Sequence, residues 1–306
     1  MNNVVEALRE LHRAVVDESE IDELGHLSVP FYEIRARQAG TFLLEGLGYE
    51  PDDAEEVVIT DAFRRNLNEQ FLGAELVVNG GVIAVSEQNI TLYHELVNAE
   101  TGELSAVFVH ELTCRNKANQ QQVGFSERLM QAAGAAVVPW PAHGKGRTID
   151  MKVKPSSITL QQVREKRLEY RQPIIVEQEH CNENGFVLPE SLNHLPYHGD
   201  SVTEESSDWI VETNDGRRLG MADLEARNVS MGSARVGDEL QVFSAEVAIA
   251  NKTYYRYHWI FNLTTESLVG VSSVVIVMLD LEVRRAAEIP DELREKLEAR
   301  FHPSLM

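Results

Sequence analysis

Cysteine is nearly absent: Cys114 and Cys181 are the only two in 306 residues. That is too few for a disulfide framework or a thiolate zinc site, and a reducing compartment, the cytoplasm, is the expectation. Cations are also in deficit, with 28 Lys and Arg against 49 Asp and Glu and a formal charge of −21. Such a chain repels polyphosphate backbones, which excludes nucleic acid as a partner. Long apolar runs are missing. The longest, Val271–Leu279, is far short of the ~20 residues of a bilayer-spanning helix, so no membrane partner is expected, and its Val and Ile content reads as a buried strand. The opening MNNVVEALRELHRAVVDESE carries acids throughout and lacks the apolar core of a secretory signal. H-E-x-x-H, paired Cys/His spacings and G-x-S-x-G are absent as well, which leaves no metal ligand set and no serine-hydrolase elbow. His143-Gly144-Lys145-Gly146 lacks full phosphate-loop spacing and reads as linker. The sequons at Asn89, Asn228, Asn251 and Asn262 are chance matches without secretion.

What is present is ordinary globular composition, 43% hydrophobic and 25% charged, over a length that suits two units of about 150 residues. A duplication is visible. Residues 73–112 align without a gap to 237–276, with identities at Gly73/Gly237, Glu75/Glu239, Leu76/Leu240, Val78/Val242, Ala84/Ala248, Tyr93/Tyr257, His94/His258, Asn98/Asn262, Thr101/Thr265, Leu104/Leu268 and Val107/Val271. Eleven identities in 40 positions exceed the two or three expected at about 6% per position, so a repeated unit is the reading. Each copy predicts three long antiparallel strands. A Gly-x-Glu-Leu opening leads to an extended run, then an alternating run (Ile90–Val97, Tyr254–Phe261), a polar turn and a third strand. The recurrence of His94 and His258 at one strand position follows from duplication and reads as structural.

Ahead of the strands, copy 1 predicts a helix from about Val29 to Gly46, with Ser28 as N-cap and Pro30 in the first turn. In copy 2 the matching stretch LPESLNHLPYHG is interrupted by Pro196. The expected division is 1–124 for the first unit, 125–168 for a linker and 169–306 for the second. Lys145 to Arg171 holds eight cations against three acids. Lys145 and Arg147 in this run could receive the phosphates of an acyl carrier such as CoA; the alternative is a solvated linker surface.

The string Asp22-Glu23-Leu24-Gly25-His26-Leu27-Ser28-Val29-Pro30-Phe31-Tyr32 resembles the D-x-x-G-H-x-N-N-x-x-Y signature that opens the helix of hot-dog thioesterases of the 4-hydroxybenzoyl-CoA type. The ending Leu279-Asp280-Leu281-Glu282 followed by Ile289-Pro290-Asp291-Glu292-Leu293-Arg294 is similar to the usual close of that family. The resemblance implies an α+β tandem double hot-dog. Each unit would be an antiparallel sheet wrapped around a long central helix, with active sites where the two units pair. It also implies an acyl-CoA thioesterase acting on an acyl-CoA or acyl-carrier-protein thioester, needing no cofactor beyond the CoA of its substrate, with further pairing into a homo-oligomer possible.

By position, Asp22 matches the family's base or nucleophile; as a plain loop acid it would cap its own turn. His26 would orient substrate or support Asp22. Glu33 lies where some branches draw their carboxylate. The helix amides near Val29 and Phe31 would polarise the carbonyl, and the polar stretch Asn66–Gln70, where a strand should begin, would bring Asn68 or Glu69 to line the site. Copy 2 departs from the signature. Asn182 stands for Asp22 and Phe186 for His26, so either that site is inactive or Asn182 binds water or a carbonyl while Glu183 or Glu190 acts as the acid–base group. Rival readings are a hot-dog enoyl-CoA hydratase, disfavoured by the missing D-x-N-P-x-H, and a non-catalytic acyl-ligand-binding protein, against which the intact Asp22–His26 motif argues.

Overall fold

The computed structural model describes residues 8–22, 24–192, 194, 210–213 and 216–306. The chain divides into two compact units, Met1–Arg147 and Thr148–Met306. Unit 1 contains β1 (Arg9–Val15), α1 (Val29–Gly46), β2 (Glu55–Asn66), β3 (Glu75–Val85), β4 (Asn89–Asn98), β5 (Leu104–Asn116) and α2 (Glu127–Ala135). Its antiparallel strands run in the order β1-β3-β4-β5-β2. α1 buries a stripe at helical spacing, Tyr32, Arg35, Ala36, Ala39, Gly40, Leu43 and Leu44, because positions three and four apart share a face. Arg35 can lie in this stripe because Glu20 meets its guanidinium at 2.7 Å. Ala and Gly let the helix approach the sheet closely: a Cβ on Gly40 would stand 3.4 Å from Leu92. Ser28 is the N-cap residue but makes no side-chain capping bond.

Unit 2 contains α3 (Leu160–Lys166), β6 (Glu169–Tyr170), β7 (Ile174–Ile175), α4 (Pro189–Leu192), β8 (Ile210–Glu212), β9 (Arg218–Ser230), β10 (Glu239–Ile249), β11 (Thr253–Asn262), β12 (Ser267–Asp280), β13 (Arg285–Ala286) and α5 (Asp291–Ala299). Its strands run β9-β12-β11-β10-β6, with β7 also on β10, β8 on β9 and β13 on β12. The run Val271–Leu279 lies within β12 and is buried as far as Met278, and α5 follows Pro290, its N-cap residue. Of LPESLNHLPYHG, α4 holds the first part; Pro196 lies outside the described residues.

The repeat is expressed down to its irregularities. Leu76 faces Asn98 and Leu240 faces Asn262. β3 shifts register between Val82 and Ala84, and β10 between Glu246 and Ala248. In both copies the Asn carbonyl oxygen caps the following turn: Asn98 Oδ1 accepts from Glu100 and Thr101 N–H at 3.0 and 3.1 Å, Asn262 Oδ1 from Thr264 and Thr265 N–H at 3.0 and 3.2 Å. These bonds account for the Asn98/Asn262 identity.

The segment read as linker is tied to the unit on either side of it. Leu129 and Ala133 of α2 join the core cluster formed by Leu43, Leu44, Leu92 and Leu112. Arg65 donates to the carbonyls of His143 and Lys145, and His143 pairs with Glu95 at 2.6 Å. Beyond residue 147, Glu225 accepts from the amides of Thr148 and Ile149 at 3.0 and 2.9 Å, and the indole of Trp259 donates to the Ser156 carbonyl at 3.0 Å. One expectation is corrected: Asn66–Gln70 does not begin a strand. β2 ends at Asn66, because the Leu67 and Asn68 amides both turn to the Ser105 carbonyl, at 2.9 and 3.1 Å, and leave the ladder.

Candidate active site

The turn at Asp22 is built from short-range bonds. Asp22 N–H donates to the His26 carbonyl at 2.9 Å and Gly25 N–H to the Asp22 carbonyl at 3.0 Å. Gly25 carries a φ of 81°, a left-handed conformation that glycine adopts without steric cost. Asp22 Oδ1 accepts from the amides of Leu24 (2.9 Å) and His26 (3.4 Å), an Asx turn. This oxygen is structural. Oδ2 meets His26 Nδ1 at 3.0 Å.

The far side of the imidazole is supplied from 43 residues along the chain. His26 Nε2 lies 3.5 Å from Glu69 Oε1. Glu69 is delivered there by Gln70, whose carbonyl accepts from Leu27 N–H at 2.7 Å, whose N–H donates to the Tyr32 hydroxyl at 3.1 Å, and whose side chain accepts from Asn98 at 2.8 Å. Burial pushes the Tyr32 phenol up to about 12, so it remains a neutral clasp at physiological pH. The result is a carboxylate–imidazole–carboxylate row. Asp22, His26 and Glu69 are 29%, 15% and 32% exposed along their side chains, open enough to meet a ligand.

The other expected residues separate. Glu33 pairs with Arg64 at 2.9 Å. Asn68 donates its amide to the Leu104 carbonyl at 2.8 Å, which makes it a structural tie. Phe31 N–H is taken by the Ser28 carbonyl at 3.0 Å; Val29, the first residue of α1, heads the turn whose amides lack intrahelical acceptors. Lys145 and Arg147 are exposed, and the Lys145 ammonium stands 5.7 Å over Trp140. Asn182 occupies the copy of this turn in unit 2, and Glu190 sits on α4. Among the described residues no His, Cys, Asp and Glu group could hold a metal ion, and no helix is long and apolar enough to cross a membrane. The pairing of Glu69 with His26 is what the sequence reading lacked: Glu69 was expected against substrate, and only its polar stretch pointed to it.

No protein-family model matches the chain, and no curated protein matches it by sequence. Solved structures do. A 12:0-ACP thioesterase from Umbellularia californica superposes with a TM-score of 0.67 at 10% identity, over 87% of this chain and 93% of its own. A putative oleoyl thioesterase from Lactobacillus plantarum gives 0.64 at 11%, over 90% and 98%. An acyl-ACP thioesterase from Bacteroides thetaiotaomicron gives 0.59 at 12%, over 87% and 96%. The fold is that of the hot-dog thioesterases. At these identities the likeness is one of architecture, antiparallel sheet with few helices, and it extends over nearly the whole of each compared chain.

Proposed function

We propose that this protein is a tandem double hot-dog thioester hydrolase that cleaves an acyl-CoA or acyl-carrier-protein thioester, with α1 as the central helix of its first unit and Asp22 as its base. CoA enters only as part of the substrate, and the cytoplasm and pairing of further copies belong to the same reading. The observation that carries it is the division of labour at Asp22, where Oδ1 holds the turn and Oδ2 meets His26 on a side chain that is 29% exposed. Support comes also from the thioesterase names of the structures that share the fold. In the proposed step, Asp22 Oδ2 takes a proton from water as its oxygen attacks the thioester carbon, with the Val29 amide polarising the carbonyl oxygen. The C–S bond then breaks, the proton passes to the leaving sulfur, and acid and thiol depart. His26, held between Asp22 and Glu69, keeps the carboxylate oriented.

The test is thiol release from a panel of short, long and aromatic acyl thioesters on CoA and on carrier protein. Wild type should turn over at least one member and Asp22→Asn none at a comparable rate. Full activity in the Asn variant would remove Asp22 from the chemistry, and no release by wild type would leave a protein that only binds acyl ligands.

A further inference from the structure

The duplication reaches past the strands. The offset that carries Gly73 onto Gly237 also carries α2 (Glu127–Ala135) onto α5 (Asp291–Ala299), and each helix is followed by a short strap along its own sheet. Val137 forms a parallel bridge to Val82 of β3, and Phe301 forms one to Glu246 of β10. Val138 N–H donates to the Val82 carbonyl at 2.8 Å, and His302 N–H to the Glu246 carbonyl at 2.8 Å. Val82 and Glu246 are equivalent, each just ahead of the register shift in its strand. The two straps therefore share one backbone arrangement.

Their side chains do not match. In unit 1 the strap is apolar, with Val82, Leu92 and Val138 all buried. In unit 2 the same three places hold Glu246, Arg256 and His302, and Ala136 is replaced by Arg300. Glu246 is 0% exposed, and neither oxygen of its carboxyl has a hydrogen-bond partner among the described residues. Arg256 Nε stands 3.7 Å from it, outside hydrogen-bond reach. Arg256 and Arg300 instead meet Glu169 of β6, at 2.5 and 2.7 Å. On the strap, burial and Lys166 of α3 push His302 down, so it offers no countercharge at neutral pH. α5 turns Leu297 inward and leaves Lys296 and Glu298 exposed. An ionised carboxylate sealed here loses its hydration and gains no hydrogen bond. Burial outweighs the attraction of Arg256 and Arg300 and holds the Glu246 carboxyl above its ordinary range.

We propose that the C-terminal strap of unit 2 is a charge-gated latch on β10, docked while Glu246 is a neutral acid and released when it ionises, whereas the strap of unit 1 is a permanent tie. A carboxyl raised in the docked state favours docking fully at low pH, and that preference is lost as pH rises through the docked value. Release gives the carboxylate water and uncovers β10 beyond its pairing with β6. The latch lies wholly within unit 2 and needs no chemistry at Asp22.

The experiment is amide hydrogen exchange by mass spectrometry on the full chain from about pH 6 to 9, each rate divided by the intrinsic rate at that pH. In wild type, protection of the His302 amide should fall by up to about tenfold per pH unit as Glu246 ionises, while that of the Val138 amide stays level. Glu246→Gln, neutral throughout, should hold both level. Glu246→Val, which carries the residue unit 1 folds with, should do the same and serves if the Gln variant does not fold. His302→Gln should keep the wild-type decline in its strap. Protection of the wild-type strap that does not change with pH, a decline that persists in the Glu246 variants, or a decline abolished by His302→Gln would each overturn the latch.

Discussion

The turns at residues 22–26 and 182–186 share their hydrogen bonds, their left-handed glycine (φ 81° at Gly25, 77° at Gly185) and their exit into a strand lead. Yet one presents carboxylates and imidazole, and the other an amide, the Phe186 ring and the Arg235 guanidinium 4.1 Å over it. The shared bonds use one oxygen of residue 22 or 182, and an amide oxygen serves as well as a carboxylate oxygen. The second oxygen is therefore not needed for folding, and its identity is left to function. A similar contrast lies in the cores. Unit 2 buries His258 with its Nδ1 2.8 Å from Ser244 Oγ. At the matching pair in unit 1, His94 faces Gly80, and both ring nitrogens of His94 lack a partner among the described residues, with His110 5.8 Å away.

The comparison yields predictions of decreasing size. Asp22→Asn should cut turnover by roughly 10²–10⁴-fold, the usual contribution of a positioned base, with circular dichroism and melting temperature close to wild type, because Asn182 already folds the same turn. Next, transplanting the unit 2 residue into unit 1 as Gly80→Ser should destabilise by about 1–3 kcal/mol in urea unfolding. A Cβ there would stand 2.5 Å from the His94 ring and 2.9 Å from the Tyr93 carbonyl.

A smaller effect, of about 1.4 kcal/mol per pH unit per histidine at most, is expected from pH. Burial lowers His94, His110 and His258, so the folded state keeps them neutral while the unfolded chain protonates them near 6.5. Stability is then fully present above the unfolded value and declines as pH falls below it. Replacing His94 and His110 together by Leu should flatten that decline, as read from urea midpoints at pH 7.5 and 5.0. The smallest effect is expected for Asn182→Asp, which should fold with a stability change within about 0.5 kcal/mol and add no turnover, since Phe186 and Ser233, which stand where unit 1 has His26 and Glu69, offer neither imidazole nor second carboxylate.

Much of this was legible beforehand where the cause is local. The alternation of β4 and β11 marked strands, Ser28 and Pro30 marked the start of α1, and the Asn98/Asn262 and Gly73/Gly237 identities marked the turns that the structure now explains. The Asp22 turn was legible as a motif, and the Asn182 departure with it. The strand expected at Asn66–Gln70 failed because the Ser105 carbonyl, 38 residues away from Leu67, draws the chain off the ladder. Glu69 was singled out for its polarity and Arg235 was passed over, because an exposed Arg after a strand lead looks like any surface charge until Phe186 is found beneath it.

The sequence by itself determined the two copies, their strands and turns, and which copy carries Asp22 and His26, because alternation, glycine conformation and Asx capping act over a few residues. Tertiary structure alone decided that Glu69 closes the row on His26, that Arg64 claims Glu33, and that Phe186 lies under Arg235. Those meetings depend on strand register and on how α1 seats against its sheet, which place side chains tens of residues apart within 3 to 4 Å and which no local pattern encodes.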